Sequence, residues 1–224
     1  MTINEVASAL AFTGVPLGIV RAGSGNGLAR ELGVSTRPEI ALAAALDARP
    51  RAIDIGEIEG RRFVNLAGIG LDAHVASRFN APGHRRGFFG YAATTAQALT
   101  GYVPQEYRLS SSDGTSVDVR ALLVTIANSQ QFGNGALIAP GARVDDGLLD
   151  LVTIEERSRW ATLCSVPRLF NGTVHRLRGC RIQQVRDVTI EAELPMTFHV
   201  DGETVEGGTT LHARVHPGAL LIAV

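Results

Sequence analysis

With 224 residues, 21 basic and 22 acidic side chains, the chain carries a formal net charge of −1 at pH 7. That length supports one large domain or two small ones with ample core, and the near-neutral charge gives no electrostatic footprint for nucleic acid. No apolar run is long enough to span a membrane, the N-terminus has no signal pattern, and Cys164 and Cys180 have no zinc-type spacing, so a reduced, cytoplasmic protein is expected.

The first 50 residues alternate in the α/β manner. "INEVASAL" predicts a helix, Leu17 to Val20 a short buried strand, 28–33 a helix and "RPEIALAAALDA" (37–48) another. Between strand and second helix lies "RAGSGNG", whose glycines permit positive φ and close backbone approach to a ligand. A glycine loop feeding a helix is either an anion cradle or a plain βα turn. From residue 51 the pattern turns to strands: 51–58, a turn at "EGR", 106–111, 117–127, 148–154, 180–185, 188–192, 197–200, 209–215 and 219–223. Helices are expected at 72–79, 88–100 and 158–170. The turn-rich spacing of the strands predicts an antiparallel sandwich or barrel.

The common glycine motifs do not fit. After Gly23 and Gly25 the third dinucleotide position is Leu28, not glycine. A Walker loop needs lysine, and all 21 basic residues are arginine. Ser24 is flanked directly by glycines, which excludes the esterase elbow.

Four stretches carry residues suited to chemistry: "GSGN" (23–26), "NLAGIGLDAH" (65–74), "APGARVDDGLLD" (139–150) and "FHVDGETV" (198–205). Asp72 begins a helix and reads either as its N-cap or as a site carboxylate. Asp145-Asp146-Gly147 reads as a turn or as an oxygen-rich cation loop. Asp201-Gly202 is a hairpin signal, and Glu203 just beyond it can project into a cleft as a general base.

Taken together and in this order, the stretches resemble the diacylglycerol kinase catalytic family, in its bacterial lipid kinase branch, which is related to sphingosine kinases and NAD kinases. "TINEVASAL" is similar to the helix after the family's Gly-Gly-Asp-Gly-Thr, "AGSGNGLARELG" to its second nucleotide motif, and "NLAGIGLDAHV", "ANSQQFGNGALIAPGARVDDGLLDLV" and "FHVDGE" to its later motifs. The resemblance implies a partial α/β nucleotide-binding domain (1–50) followed by a larger antiparallel β-sandwich domain (51–215), with 216–224 returning to the first. It implies an ATP- and Mg²⁺-dependent kinase acting on a lipid primary hydroxyl, with transient membrane contact.

By the same resemblance Thr2, Asn4, Glu5, Ser24, Gly25 and Asn26 are expected to contact ATP. Glu203 is the expected base, with Asp201 in its turn and Asp72 near the lipid head. Arg143 and Leu148, through backbone carbonyls, and Asp146 are the expected magnesium ligands. Apolar residues of 87–103 line an acyl channel or simply fill core. The family's Gly-Gly-Asp-Gly is absent, Met1 standing at its last position. Little or no activity is therefore expected of these 224 residues alone, and a non-catalytic lipid- or partner-binding protein is the alternative.

Overall fold

The computed structural model describes residues 2–22, 26–79, 97–99, 102–133 and 135–224. Helix α1 (Thr2–Leu10) leads to the two-residue strand β1 (Leu17–Gly18), then α2 (Gly27–Glu31) and α3 (Pro38–Asp47). Pro38 sits in the first turn of α3, where its missing N–H costs nothing. The hairpin of β2 (Arg51–Ile58) and β3 (Arg61–Phe63) follows, then β4 (Leu66–Gly70), which runs directly into α4 (Leu71–Phe79). The expected helix over 88–100 lies outside the described residues except at 97–99.

The second half is mostly strand. It contains β5 (Gln105–Ser110), β6 (Ser116–Ala127), the small pair β7 (Gln131–Gly133) and β8 (Ala136–Leu137), and β9 (Leu149–Glu155). Helix α5 (Arg159–Phe170) starts where the Ser158 hydroxyl accepts from Ala161 N at 3.2 Å. A single 3₁₀ turn (Val174–Arg176) then leads to β10 (Cys180–Val185), β11 (Asp187–Ala192), β12 (Thr197–Val200), β13 (Glu203–Glu206) and β14 (Thr210–Ala223).

Among the described residues twelve strands join one curled sheet, ordered β13-β12-β4-β6-β5-β11-β14-β2-β3, with β9 and β10 branching from β6 and β1 from β14. Every pair is antiparallel except β1 with β14, where Leu17 lies opposite Ile222 and Gly18 opposite Ala223. The fold is thus α/β followed by a larger antiparallel β-sandwich. The two strands expected at 209–215 and 219–223 are one: the pairing with β2 continues through "HPG" with a register shift between His216 and Leu220. A bulge absorbs the irregular residues without ending the strand.

Two faces of this sheet need covering, and β6 shows why. Its first half alternates in exposure and its second half is buried throughout. Val124 and Ile126 face the interior of the curl with Phe63, Ile69 and Phe198. Leu122, Leu123 and Ala127 face the opposite layer, where they meet α4 and buried residues such as Ile138 and Val174. A register shift between Ala121 and Leu123 changes the alternation there. A third cluster joins Ala7, Ile19 and Leu28 to Ile53, Ile55, Leu220 and Ile222. It packs the N-terminal helices on β2 and β14.

Candidate active site

The site begins at the turn between β12 and β13. Asp201 (φ 46°) and Gly202 (φ 92°) both adopt positive φ, the geometry of a type I′ hairpin turn. The Asp201 carboxylate points inward and is buried. Its Oδ1 accepts from Asn65 N at 2.9 Å and Leu66 N at 3.1 Å, and its Oδ2 from Val64 N at 2.9 Å and Asn4 Nδ2 at 2.7 Å. Asn4 Nδ2 also donates to the Arg62 carbonyl at 2.8 Å. Four donors on one carboxylate make a rigid clamp, which fastens α1 to the turn and to the segment before β4. Glu203 follows as the first residue of β13 and is exposed.

Asp72 is the second residue of α4, past the N-cap position that the sequence allows it. Its side chain turns into the sheet, where Oδ2 accepts from Thr125 Oγ1 at 2.8 Å and Oδ1 lies 3.2 Å from His199 Nε2. Asp72 and His199 are 6% and 2% exposed, so little water weakens the pair. Nε2 approaches Asp72 closely but off the line of a good hydrogen bond. On the other edge of the ring, His199 Nδ1 accepts from Gly202 N at 3.2 Å. A continuous set of contacts therefore runs from Thr125 through Asp72 and His199 to the turn that carries Glu203. Gly68 lies beneath it, and any side chain there would run into Asp72 and His199. Asp72 also forms part of the wall of an apolar cavity between α4 and α5, shared with Val75, Leu122, Val166 and Leu169.

Of the expected nucleotide contacts, Thr2 opens α1 and Glu5 is exposed on it. Asn26 precedes α2 with φ 48°, while Ser24 and Gly25 lie outside the described residues. Asn4 is brought directly to Asp201; the sequence held these two 197 positions apart.

The 143–148 loop forms a separate polar cluster. The Arg143 guanidinium turns to Asp145 Oδ1 at 3.3 Å. Asp146 accepts from Leu148 N at 3.0 Å and from Gln184 Nε2 at 3.3 Å. Burial, with the Asp146 charge adding to it, pushes the Asp150 carboxyl up to about 6. Among the described residues no three His, Cys, Asp or Glu side chains converge as a metal site. The ligands expected from the resemblance, the Arg143 and Leu148 carbonyls and the Asp146 carboxylate, are all oxygen, which is the donor chemistry a hard cation takes.

Sequence reading missed His199 and Thr125. His199 stands in the quoted "FHVDGE", two positions before Asp201, but a histidine within an alternating strand reads as core. Thr125 has no local signal.

The comparisons with known proteins agree with this fold. Residues 65–224 match the YegS C-terminal NAD kinase beta sandwich-like domain, and residues 2–58 match the diacylglycerol kinase catalytic domain. A Mycobacterium tuberculosis protein named diacylglycerol kinase is 32% identical over 209 residues, covering 90% of this chain and 67% of that protein. A "probable lipid kinase YegS-like" of Pseudomonas aeruginosa is 33% identical over 227 residues, covering 99% and 72%. A crystal structure from Bacillus anthracis str. Sterne, designated to the same kinase group, superposes with a TM-score of 0.82 at 21% identity, covering 99% of this chain and 73% of that one. The class is that of lipid kinases built on an NAD kinase-like β-sandwich. The chain belongs to the diacylglycerol kinase family. Among the described residues no helix is long and apolar enough to cross a membrane.

Proposed function

We propose that the chain carries the acceptor half and part of the nucleotide half of an ATP-dependent lipid kinase that phosphorylates a primary hydroxyl. The observation that carries this reading is the 2.7 Å bond from Asn4 to Asp201. It ties the helix of the nucleotide motif to the turn that presents Glu203.

In this mechanism Glu203 takes the proton of the lipid hydroxyl as its oxygen attacks the γ-phosphorus, and ADP leaves with the bridging oxygen. Asp72 sits in the wall of an apolar cavity and contacts His199 beside the polar turn, a position suited to orienting the hydroxyl. Asp201 acts as framework, holding the turn and α1 in one geometry. Arg143 and Leu148, through their carbonyls, and the Asp146 carboxylate would hold Mg²⁺, which supplies charge neutralisation to the 143–148 loop when bound. The division at residue 50 into nucleotide and acceptor domains, and a cytoplasmic location, belong to the same proposal. Cys164 and Cys180 are free thiols, in keeping with that location.

The family's Gly-Gly-Asp-Gly is not among these residues, and we expect phosphoryl transfer to need it. The test is transfer of labelled γ-phosphate to diacylglycerol, phosphatidylglycerol and a sphingoid base. It is run with the 224-residue chain and with that chain joined to a relative's N-terminal segment. Turnover is expected from the joined protein, and Glu203→Gln should lower it by about 10²- to 10⁴-fold. Full turnover by Glu203→Gln removes Glu203 from the mechanism. Silence of the joined protein toward all three lipids leaves the binding-only alternative.

A further inference from the structure

The charges of this nearly neutral chain are unevenly placed. Between residues 157 and 186 there are seven arginines and no aspartate or glutamate, so fourteen arginines face all twenty-two acidic residues in the remainder. The basic stretch covers α5, the 3₁₀ turn and β10. Thr162 and Val166 are buried on the inner side of α5, and Leu163 and Leu169 pack on the layer below. The outer side carries Trp160, 79% exposed and the sole tryptophan of the chain, with exposed Arg159 and Arg168. Arg176 and Arg178, also exposed, extend the basic surface at the 3₁₀ turn packed against α5. Among the described residues these four arginines make no ion pair, while the neighbouring acids Glu155 and Glu156 already face Arg181 and Arg120. Beneath α5 lies the apolar cavity whose wall includes Asp72, and the buried Arg157 Nη1 at that cavity has no hydrogen-bond partner.

We propose that the outer face of α5 and the following 3₁₀ turn is a docking surface for an anionic phospholipid membrane. The chemistry is complementary on two counts. Unpaired guanidinium groups match headgroup phosphates in geometry and charge, and an exposed indole on a helix face suits the interfacial region of a bilayer. A lone tryptophan without further exposed aromatics on the helix offers no stacking platform of the kind single-stranded nucleic acid uses. Docking on this face would bring α5, which covers the apolar cavity, to the membrane surface. The inference rests on the lipid-kinase reading for its purpose. Vesicle binding requires no turnover, so a kinase failure and a docking failure are read separately.

The experiment uses the intrinsic fluorescence of Trp160, which reports on this face alone. The 224-residue chain is titrated with phosphatidylcholine vesicles, with and without phosphatidylglycerol, and binding is followed in parallel by co-sedimentation. A blue shift, quenching by brominated acyl chains, and reversal by high salt are expected with the anionic vesicles only. The pair Arg168→Glu and Arg176→Glu, with unchanged circular dichroism, should weaken binding by about 25-fold or more, on the order of fivefold for each arginine lost. Co-sedimentation without a change at Trp160, equal binding to neutral vesicles, undiminished binding of the double variant, or no binding at all would each overturn the proposal. So would a preference for single-stranded DNA over the vesicles in competition.

Discussion

His199 connects two parts of the site through opposite edges of one ring. Because Nδ1 accepts from Gly202 N, the proton of the neutral imidazole resides on Nε2, toward Asp72. The two edges can be tested apart. An asparagine oxygen occupies nearly the position of Nδ1, and a glutamine amide nearly that of Nε2. His199→Ala should therefore lower kcat of the joined kinase with little change in KM for ATP, because the Glu203 turn loses its anchor. His199→Asn should restore much of kcat, and His199→Gln less. Equal losses in all three variants would show that the ring matters only as packing. Asp201 is tested by stability: Asp201→Asn sets an amide N–H against donors that the carboxylate now satisfies, at a cost of about 2–3 kcal/mol. The urea midpoint should fall accordingly, and an unchanged midpoint would remove Asp201 as the clamp. The positions of Asp201 and Glu203 were legible because a hairpin signal has a local cause, positive φ at two adjacent residues. The partners of Asp201 were not: Asn4, Val64 and Asn65 meet it only once the chain is folded, and no spacing in the chain announces it.

Elements with strong local signals, such as α1, α5, β12 and the turns, lie where the sequence places them. Errors fall where tertiary pairing overrides local chemistry. "HPG" punctuates the sequence, yet β14 continues past it because β2 offers partners on both sides and Asp54 Oδ1 accepts from Gly218 N at 2.7 Å. The predicted strand from Leu17 to Val20 shrinks to two residues because only Leu17 and Gly18 lie opposite the end of β14. The two cysteines separate by element in the same manner. Cys164 is exposed on α5, whereas burial, opposed by the charge of Arg157, pushes the Cys180 thiol on β10 up to about 11. A raised pKa keeps Cys180 protonated and unreactive at neutral and mildly alkaline pH. A chromogenic disulfide reagent at pH 8 should thus modify one thiol quickly and the second only on unfolding, and Cys164→Ser should abolish the fast phase. Two fast thiols would mean that β10 and α5 separate readily in solution.

At the scale of the molecule, the question is whether α1 to α3 form a unit that unfolds alone. Their apolar side chains share a cluster with Ile53 and Ile55 of β2 and Leu220 and Ile222 of β14. Those two strands also line the interior of the curl through Ile58, Leu211 and Ala213. Strand β14 pairs with β1, β2 and β11 at once, so releasing its end should be felt in both layers. Ile222 is fully buried and lies opposite Leu17. Ile222→Ala should cost about 2–5 kcal/mol through lost burial and the cavity left behind. Backbone circular dichroism reports on the whole sheet, while Trp160 fluorescence reports on α5, far along the chain from this substitution. If the chain unfolds as one cooperative body, both probes should shift to the same lower urea midpoint with an unchanged slope. An early change in circular dichroism with Trp160 unmoved would instead show that the N-terminal helices and the end of β14 come away first. The two layers would then be joined by contact without sharing cooperativity.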